Sequence, residues 1–211
     1  MNDNLGNIYS HHHETSRERG FSILKDERGA LIKNLIGRDK LVLDIGCRDG
    51  ALTRYFTDGN QVLGIDIDSN ALKEAEKLGI KTMSLDLNGE WPELEGGKFD
   101  VVVAGEVLEH LYYPDKVAAK VVKHLVPGGM FVGSVPNAFS LKNRLRYLLG
   151  RKAYTPLSDP THINQFHIDE LRSILERHFA CVEIMGLGRY QRLAKTFPGL
   201  FGFDLFFVAT L

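Results

Sequence analysis

The residues best equipped for chemistry in this 211-residue chain are acids and glycines that follow apolar runs. "VLDIGCRDGALTRYF" passes from apolar residues to Asp44, turns through Gly46, Cys47, Arg48, Asp49 and Gly50, and opens a candidate helix. "GIDID" closes on Asp66, Ile67 and Asp68, and "SLDLN" on Asp86, Leu87 and Asn88. "FDVVVAGEVLEHL" then delivers Gly105, Glu106, Glu109 and His110. A glycine turn ahead of a helix offers backbone N–H groups to a ligand. A carboxylate can accept from sugar hydroxyls or an amino group, and an imidazole beside a carboxylate can carry a proton.

These groups converge only if the elements around them bring them together. "KLVLDIG", "QVLGIDID", "KTMSLDL", "FDVVVAGEV" and "MFVGSVP" read as strands. Between them lie the helical stretches "ALTRYFTDG", "SNALKEAEKLGI" with Ser69 as cap, and "DKVAAKVVKHLVPGG" with Pro127 and Gly128 as its stop. Such alternation predicts an α/β fold with a mostly parallel sheet, covered on both faces. A lead-in helix carries Phe21, Leu24, Leu31, Leu35 and Ile36 and ends at Gly37; later, "HIDELRSILERHF" is a helix, and "ACVEIMGLG" and "FDLFFVATL" are two closing strands. In an open sheet of this kind the ligand lies beyond the carboxyl ends of the strands, where the acids and glycines above fall.

Residues 1–20 read as a flexible polar tail holding His11, His12 and His13, and residues 21–211 as one domain with a basic insertion at about 137–166. Lys and Arg total 26 against 27 for Asp and Glu, a formal charge of -1, which argues against general nucleic-acid binding through phosphates. No run reaches the ~18 apolar residues of a membrane span. Cys47 and Cys181 follow no metal or disulfide spacing, so a reducing, cytoplasmic setting is expected.

The loop does not suit a dinucleotide. A pyrophosphate turn wants G-x-G-x-x-G with its second glycine bare, and Arg48 stands where that glycine would be. Asp49, at the mouth of the following helix, would repel a diphosphate. A ligand with an adenosine, an amino-acid tail and a sulfonium, but no phosphate, removes the conflict, because cationic groups gain from acidic surroundings. Asp66, 20 residues beyond Gly46, is placed for the ribose hydroxyls and Asp86 for the adenine amino group.

Taken in order, "VLDIGCRDGALTRYF", "GIDID", "SLDLN", "FDVVVAGEVLEHL" and "LVPGGMFVGSVPN" resemble the successive motifs of class I S-adenosylmethionine-dependent methyltransferases, from about residue 41 to 137. The resemblance implies a Rossmann-like, seven-stranded sheet whose last strand runs antiparallel between its neighbours. It implies S-adenosylmethionine as cofactor and S-adenosylhomocysteine as product. The cofactor set expected along the strand ends is Asp44, Gly46, Cys47, Arg48, Gly50, Asp66, Ile67, Asp86, Leu87, Gly105 and Glu106, with the Cys47 thiol, like Trp91, read as packing. "GEVLEHL" looks like the ubiquinone-pathway O-methyltransferases, while "SVPNAFSLKNRLRYLLGRKAYTPLSDPTHINQFHIDEL" is similar to MetW-like proteins of methionine biosynthesis.

His110 is the candidate catalytic base, with Glu109 to orient it. Were the segment helical, Glu106, Glu109 and His110 would share a face and could hold a divalent cation, with His162 or His167 as a further ligand; the reading adopted is metal-free. Asn137, Arg144 and His162 are the acceptor-binding candidates. Lys142, Arg144, Arg146, Arg151 and Lys152, with no acid from Asn137 to Ser158, fit an anionic acceptor, and Leu141, Leu145, Leu148 and Leu149 form an apolar side for a lid or partner. The expected function is methyl transfer to a small or medium-sized acceptor, with a protein partner or homodimer left open. The alternatives are a non-catalytic, cofactor-binding partner of a biosynthetic enzyme and, less favoured, a nicotinamide-dependent oxidoreductase.

Overall fold

The computed structural model describes Gly20 and residues 22–211; the expected N-terminal tail with its three histidines, and Phe21, lie outside the described residues. Seven strands form one sheet: β1 (Leu41–Ile45), β2 (Gln61–Asp66), β3 (Lys81–Ser84), β4 (Phe99–Gly105), β5 (Leu125–Pro136), β6 (Cys181–Leu187) and β7 (Asp204–Thr210). Their order is β3-β2-β1-β4-β5-β7-β6. β1 pairs in parallel with β2 and β4, and β2 with β3, whereas β7 runs antiparallel to both β5 and β6. This is the implied arrangement, with the last strand inserted between its neighbours. No helix among the described residues is long and apolar enough to cross a membrane.

The described residues divide into two compact units, one running up to Gly105 together with His124–Gly129, the other Glu106–Lys123 and Met130–Leu211. The first holds α1 (Lys25–Ile36) and α2 (Ser69–Lys77). Val42, Leu43, Ile45, Ile65 and the Val101–Ala104 run of β4 are buried, as strands covered on both faces require. The buried face of α1 is Arg28, Gly29, Ile32 and Ile36 rather than a Leu31–Leu35 stripe. A Cβ on Gly29 would stand 2.4 Å from the Tyr55 ring, so only glycine lets α1 come this close.

Three local expectations are corrected in this unit. "ALTRYFTDG" forms only a 3-10 turn, Thr53–Tyr55. The eight residues between Gly50 and Gly59, both at positive φ, leave no room to repay helix nucleation. The cap of α2 is Asp68, whose Oδ1 accepts from the N–H groups of Asn70 and Ala71; Ser69 is already helical. The helix before β5 ends at His124, ahead of Pro127 and Gly128, and both of those lie within the strand. The bar on helical backbone before a proline accounts for the early stop.

The second unit holds α3 (Pro114–His124, less its last residue), α4 (Leu141–Leu148), α5 (Ile168–Glu176), α6 (Gln191–Thr196) and α7 (Pro198–Phe201). Its core is aromatic. Phe131 stacks on Phe179 at 5.7 Å and meets Phe207 edge-on at 5.0 Å, both between ring centroids, and Phe206 is fully buried. "FDLFFVATL" is therefore an interior strand, as its β-branched and aromatic content predicts.

Candidate functional site

In the first unit the glycine loop is folded against β2. The N–H groups of Gly46 and Cys47 both donate to the Ile65 carbonyl, at 2.7 and 3.1 Å. The Arg48 N–H donates to Asp66 Oδ2 at 3.0 Å, and Asp68 N–H to Oδ1 at 2.9 Å, which fixes the plane of the Asp66 carboxylate. Gly46 and Gly50 take φ of 71° and 76°, and Arg48 takes 51°. Arg48 thus adopts the left-handed backbone that a glycine would take there, at a cost of about 1–2 kcal/mol. The loop keeps its course with an arginine in it. The Cys47 Sγ lies over Gly64, where a Cβ would sit 2.7 Å from the sulfur, so the thiol is a packing group. Burial pushes its pKa up, and the Asp44 and Asp66 charges push it further.

Asp44 is buried and receives the Thr53 hydroxyl on Oδ2 at 2.6 Å. Its pKa is raised from 3.8 to about 7, first by burial and then by the Asp66 charge, against the lowering effect of the Thr53 bond. Two buried acids at adjacent strand ends make this a place that favours positive charge. Asp86 forms a turn in which Oδ1 accepts from the Asn88 N–H at 2.9 Å, Leu87 is buried, and the Leu87 carbonyl accepts from Trp91 Nε1 at 3.1 Å. Ile67, between Asp66 and Asp68, is half-buried. At the end of β4, a Cβ on Gly105 would stand 2.5 Å from Leu52 Cδ2 and 3.7 Å from Arg28 Nη1.

Arg28 is the residue that sequence reasoning missed. It is buried on α1, with Nη2 donating to Ser22 Oγ at 2.7 Å. A guanidinium is the natural partner of a carboxylate tail. The signal was weak, because Arg28 lies among Arg17, Arg19, Lys25 and Lys33 and nothing in the sequence singles it out.

In the second unit Glu106 has φ of 61°, its N–H donates to the Ser134 carbonyl, and its Oε1 accepts from Ser134 Oγ at 2.9 Å. Only Leu108–His110 is helical, as a 3-10 turn, so Glu106, Glu109 and His110 do not share an α-helical face. A different trio meets. Ligand atoms of Glu109, His110 and His162 all lie within 4.8 Å of one another. The segment carrying His162 is tied to the turn by Asn164, whose N–H donates to the Glu109 carbonyl at 2.9 Å.

The two imidazoles are held alike. His110 Nδ1 lies 2.9 Å from the Thr161 carbonyl and His162 Nδ1 3.1 Å from the Pro156 carbonyl. A carbonyl can only accept, so each Nδ1 carries a proton, and in its neutral form each ring presents an Nε2 lone pair. His110 Nε2 lies 3.7 Å from the buried Glu109 Oε1, and the two rings meet edge-on at 4.8 Å. A lone pair facing a buried carboxylate favours a positive charge between them, whether a proton or a metal ion.

Asn137, an expected acceptor contact, makes bonds within the chain. Buried, it donates from Nδ2 to the carbonyls of Pro198, Gly199 and Gly202 and accepts the Phe139 N–H on Oδ1, so its amide ties the end of β5 to α7. Arg144 Nε donates to the Phe139 carbonyl at 2.6 Å, and Nη2 lies 3.1 Å from His167 Nε2. Its guanidinium is thus engaged within the unit.

Residues 17–181 match a family model described as a methyltransferase domain. The chain is 32% identical, over 75% of its length and 72% of the relative's, to a ubiquinone biosynthesis O-methyltransferase from Burkholderia pseudomallei. Its fold resembles that of an S-adenosylmethionine-dependent methyltransferase from Archaeoglobus fulgidus, with a TM-score of 0.70 and 20% identity over 97% of this chain and 99% of that one. It also resembles the N-methyltransferase NodS from Bradyrhizobium japonicum, crystallised with S-adenosylhomocysteine, at a TM-score of 0.58 and 18% identity over 88% of this chain and 85% of that one. Together with a phosphate-averse glycine loop and its row of strand-end acids, these matches establish that the chain belongs to the class I S-adenosylmethionine-dependent methyltransferases.

Proposed function

We propose that the enzyme methylates a hydroxyl oxygen of a small or medium-sized acceptor, with His110 as the base. The observation that carries this is the His110 ring, its Nδ1–H anchored on the Thr161 carbonyl and its Nε2 3.7 Å from the Glu109 carboxylate. The O-methyltransferase named among its relatives supports an oxygen acceptor.

S-adenosylmethionine supplies a methyl group activated by a sulfonium. The residues of the chain position it and move one proton. The backbone of Gly46–Gly50 and the Asp66 carboxylate would take the ribose, Asp86 the adenine amino group, Asp44 the cationic tail, and Arg28 the tail carboxylate. His110 Nε2 would accept the proton from the acceptor hydroxyl, and Glu109 would stabilise the imidazolium so formed. Holding the reacting atoms in line and excluding water supplies the rest of the acceleration.

A second reading is favoured by one observation: Glu109, His110 and His162 have the composition of a divalent-metal site, with both histidines oriented from behind by carbonyls. In that reading the trio would hold an ion that grips the acceptor oxygen. One experiment separates the two: methyl transfer to a panel of phenols and catechols, with and without EDTA, for the wild type, His110→Ala and His162→Ala. The base reading predicts EDTA-insensitive turnover that falls 10²–10⁴-fold in His110→Ala. Loss of turnover in EDTA, restored by manganese or zinc, carries the metal reading. Unchanged turnover in both variants refutes both.

A further inference from the structure

The carbonyls that hold His110 and His162 are both tied to one further side chain, Asp159. The Thr161 carbonyl, which takes His110 Nδ1 at 2.9 Å, lies 51 residues from His110 along the chain. Its place is fixed by the turn that carries it. Asp159 Oδ1 accepts from the Thr161 N–H at 2.9 Å and from the Thr161 hydroxyl at 2.6 Å. With both donors of Thr161 pinned to one carboxylate oxygen, the direction of its carbonyl is restricted too. That carbonyl also receives the Ile163 N–H at 3.1 Å, so one lone pair serves Ile163 and the other the His110 ring.

Asp159 reaches the second imidazole by its backbone and by its other oxygen. Its N–H donates to the Pro156 carbonyl at 3.3 Å, the same carbonyl that takes His162 Nδ1 at 3.1 Å. The His162 N–H donates to the Asp159 carbonyl at 3.3 Å. Asp159 Oδ2 lies 3.6 Å from His162 Nε2, much as Glu109 Oε1 lies 3.7 Å from His110 Nε2. An aspartate in a turn is ordinarily a local cap. Asp159 differs because the residue it caps carries the carbonyl on His110. The tautomer of a histidine follows the bond made by its other nitrogen. A ring released from the Thr161 carbonyl can move its proton from Nδ1 to Nε2, where the lone pair is needed.

We propose that Asp159 is the positioning residue of this site: by building the turn that offers the Thr161 carbonyl, it holds the His110 ring in the Nδ1-protonated tautomer, with Nε2 left to take the acceptor proton. The inference rests on His110 as the base and adds that the base is set from outside its own 3-10 turn.

The test compares Asp159→Ala with Asp159→Asn, whose amide oxygen can still accept both Thr161 donors. The full chain is labelled with nitrogen-15 at histidine, and proton–nitrogen correlation spectra at a pH where the ring is neutral read which nitrogen of His110 is protonated. Loss of signals in His110→Ala identifies that ring, and no acceptor is needed. The expected result is an Nδ1-protonated ring in the wild type and in Asp159→Asn, with a shift toward the Nε2-protonated form in Asp159→Ala. Turnover of catechol should fall about 10–100-fold in kcat for Asp159→Ala, with S-adenosylmethionine affinity unchanged, and recover in Asp159→Asn. Because Asp159 acts through His110, adding Asp159→Ala to His110→Ala should change turnover by less than about twofold. An Nδ1-protonated ring that persists in Asp159→Ala overturns the proposal. So does an asparagine variant as impaired as the alanine, or an equal loss in the two backgrounds. If His110→Ala itself turns over like the wild type, the base reading fails, and the nitrogen spectrum alone decides whether Asp159 sets the ring.

Discussion

Replacing Asp44 with Asn should make the cofactor-free protein more stable at alkaline pH while weakening cofactor binding. The Asp44 carboxyl has a pKa of about 7 in the folded chain against 3.8 as the reference for the unfolded one. As pH rises, the unfolded chain releases this proton first, so the folded state loses stability between about pH 4 and 7 and stays at the lower level above that. At about 1.4 kcal/mol per pH unit, the full loss is a little over ~4 kcal/mol. Between pH 5 and 8 it is about 3 kcal/mol, since part has gone before pH 5. Asparagine carries no charge and keeps an oxygen for the Thr53 hydroxyl, which donates at 2.6 Å in the wild type. Its buried NH₂ costs about 1–3 kcal/mol, but equally at every pH. Urea unfolding of both proteins at pH 5 and pH 8 isolates the effect: the stability of Asp44→Asn relative to the wild type should rise by about 3 kcal/mol across that range. A difference that does not change with pH would refute the reasoning. In the wild type, binding of the cationic cofactor should tighten as pH rises through about 7, because the ionised form of Asp44 is the one that attracts it.

Asn137→Ala should cost about 2 kcal/mol, the usual penalty for leaving buried carbonyls without their donor. Chemical unfolding measures this, and S-adenosylmethionine binding by the variant should match the wild type. Native protein should react with Ellman's reagent at one thiol, the exposed Cys181, and at both only after unfolding. Rapid reaction of two thiols in the native state would contradict the packing of Cys47 against Gly64.

The fold and the course of the glycine loop were largely legible in the sequence, because parallel strands buried on both faces are written as continuous apolar runs and their ends as acids. Leu43 to Asp44 and Ile65 to Asp66 are such ends. What escaped depends on contacts between distant residues. Arg28 looks like any other helix cation until α1 buries it, which it can do because Gly29 admits the Tyr55 ring. The three carbonyls around the Asn137 amide, from Pro198, Gly199 and Gly202, lie more than 60 residues away and only the fold gathers them. The leucines of α4 carried a core pattern, yet the helix is turned so that Asn143 faces inward. His162 reads in the sequence as an acceptor contact or a further ligand, and its place beside His110 follows from the Asn164 bond to Glu109, which no local pattern reveals.

The most direct test of the site is isothermal titration of the purified protein with S-adenosylmethionine, alongside Asp66→Ala and with reduced nicotinamide dinucleotide as a second titrant. The wild type should bind S-adenosylmethionine in the micromolar range and ignore the dinucleotide, and Asp66→Ala should lose the binding, since its carboxylate is held in place by the Arg48 and Asp68 N–H groups. Undiminished binding by Asp66→Ala, or heat from the dinucleotide in place of S-adenosylmethionine, would contradict the assignment of the cofactor to this loop.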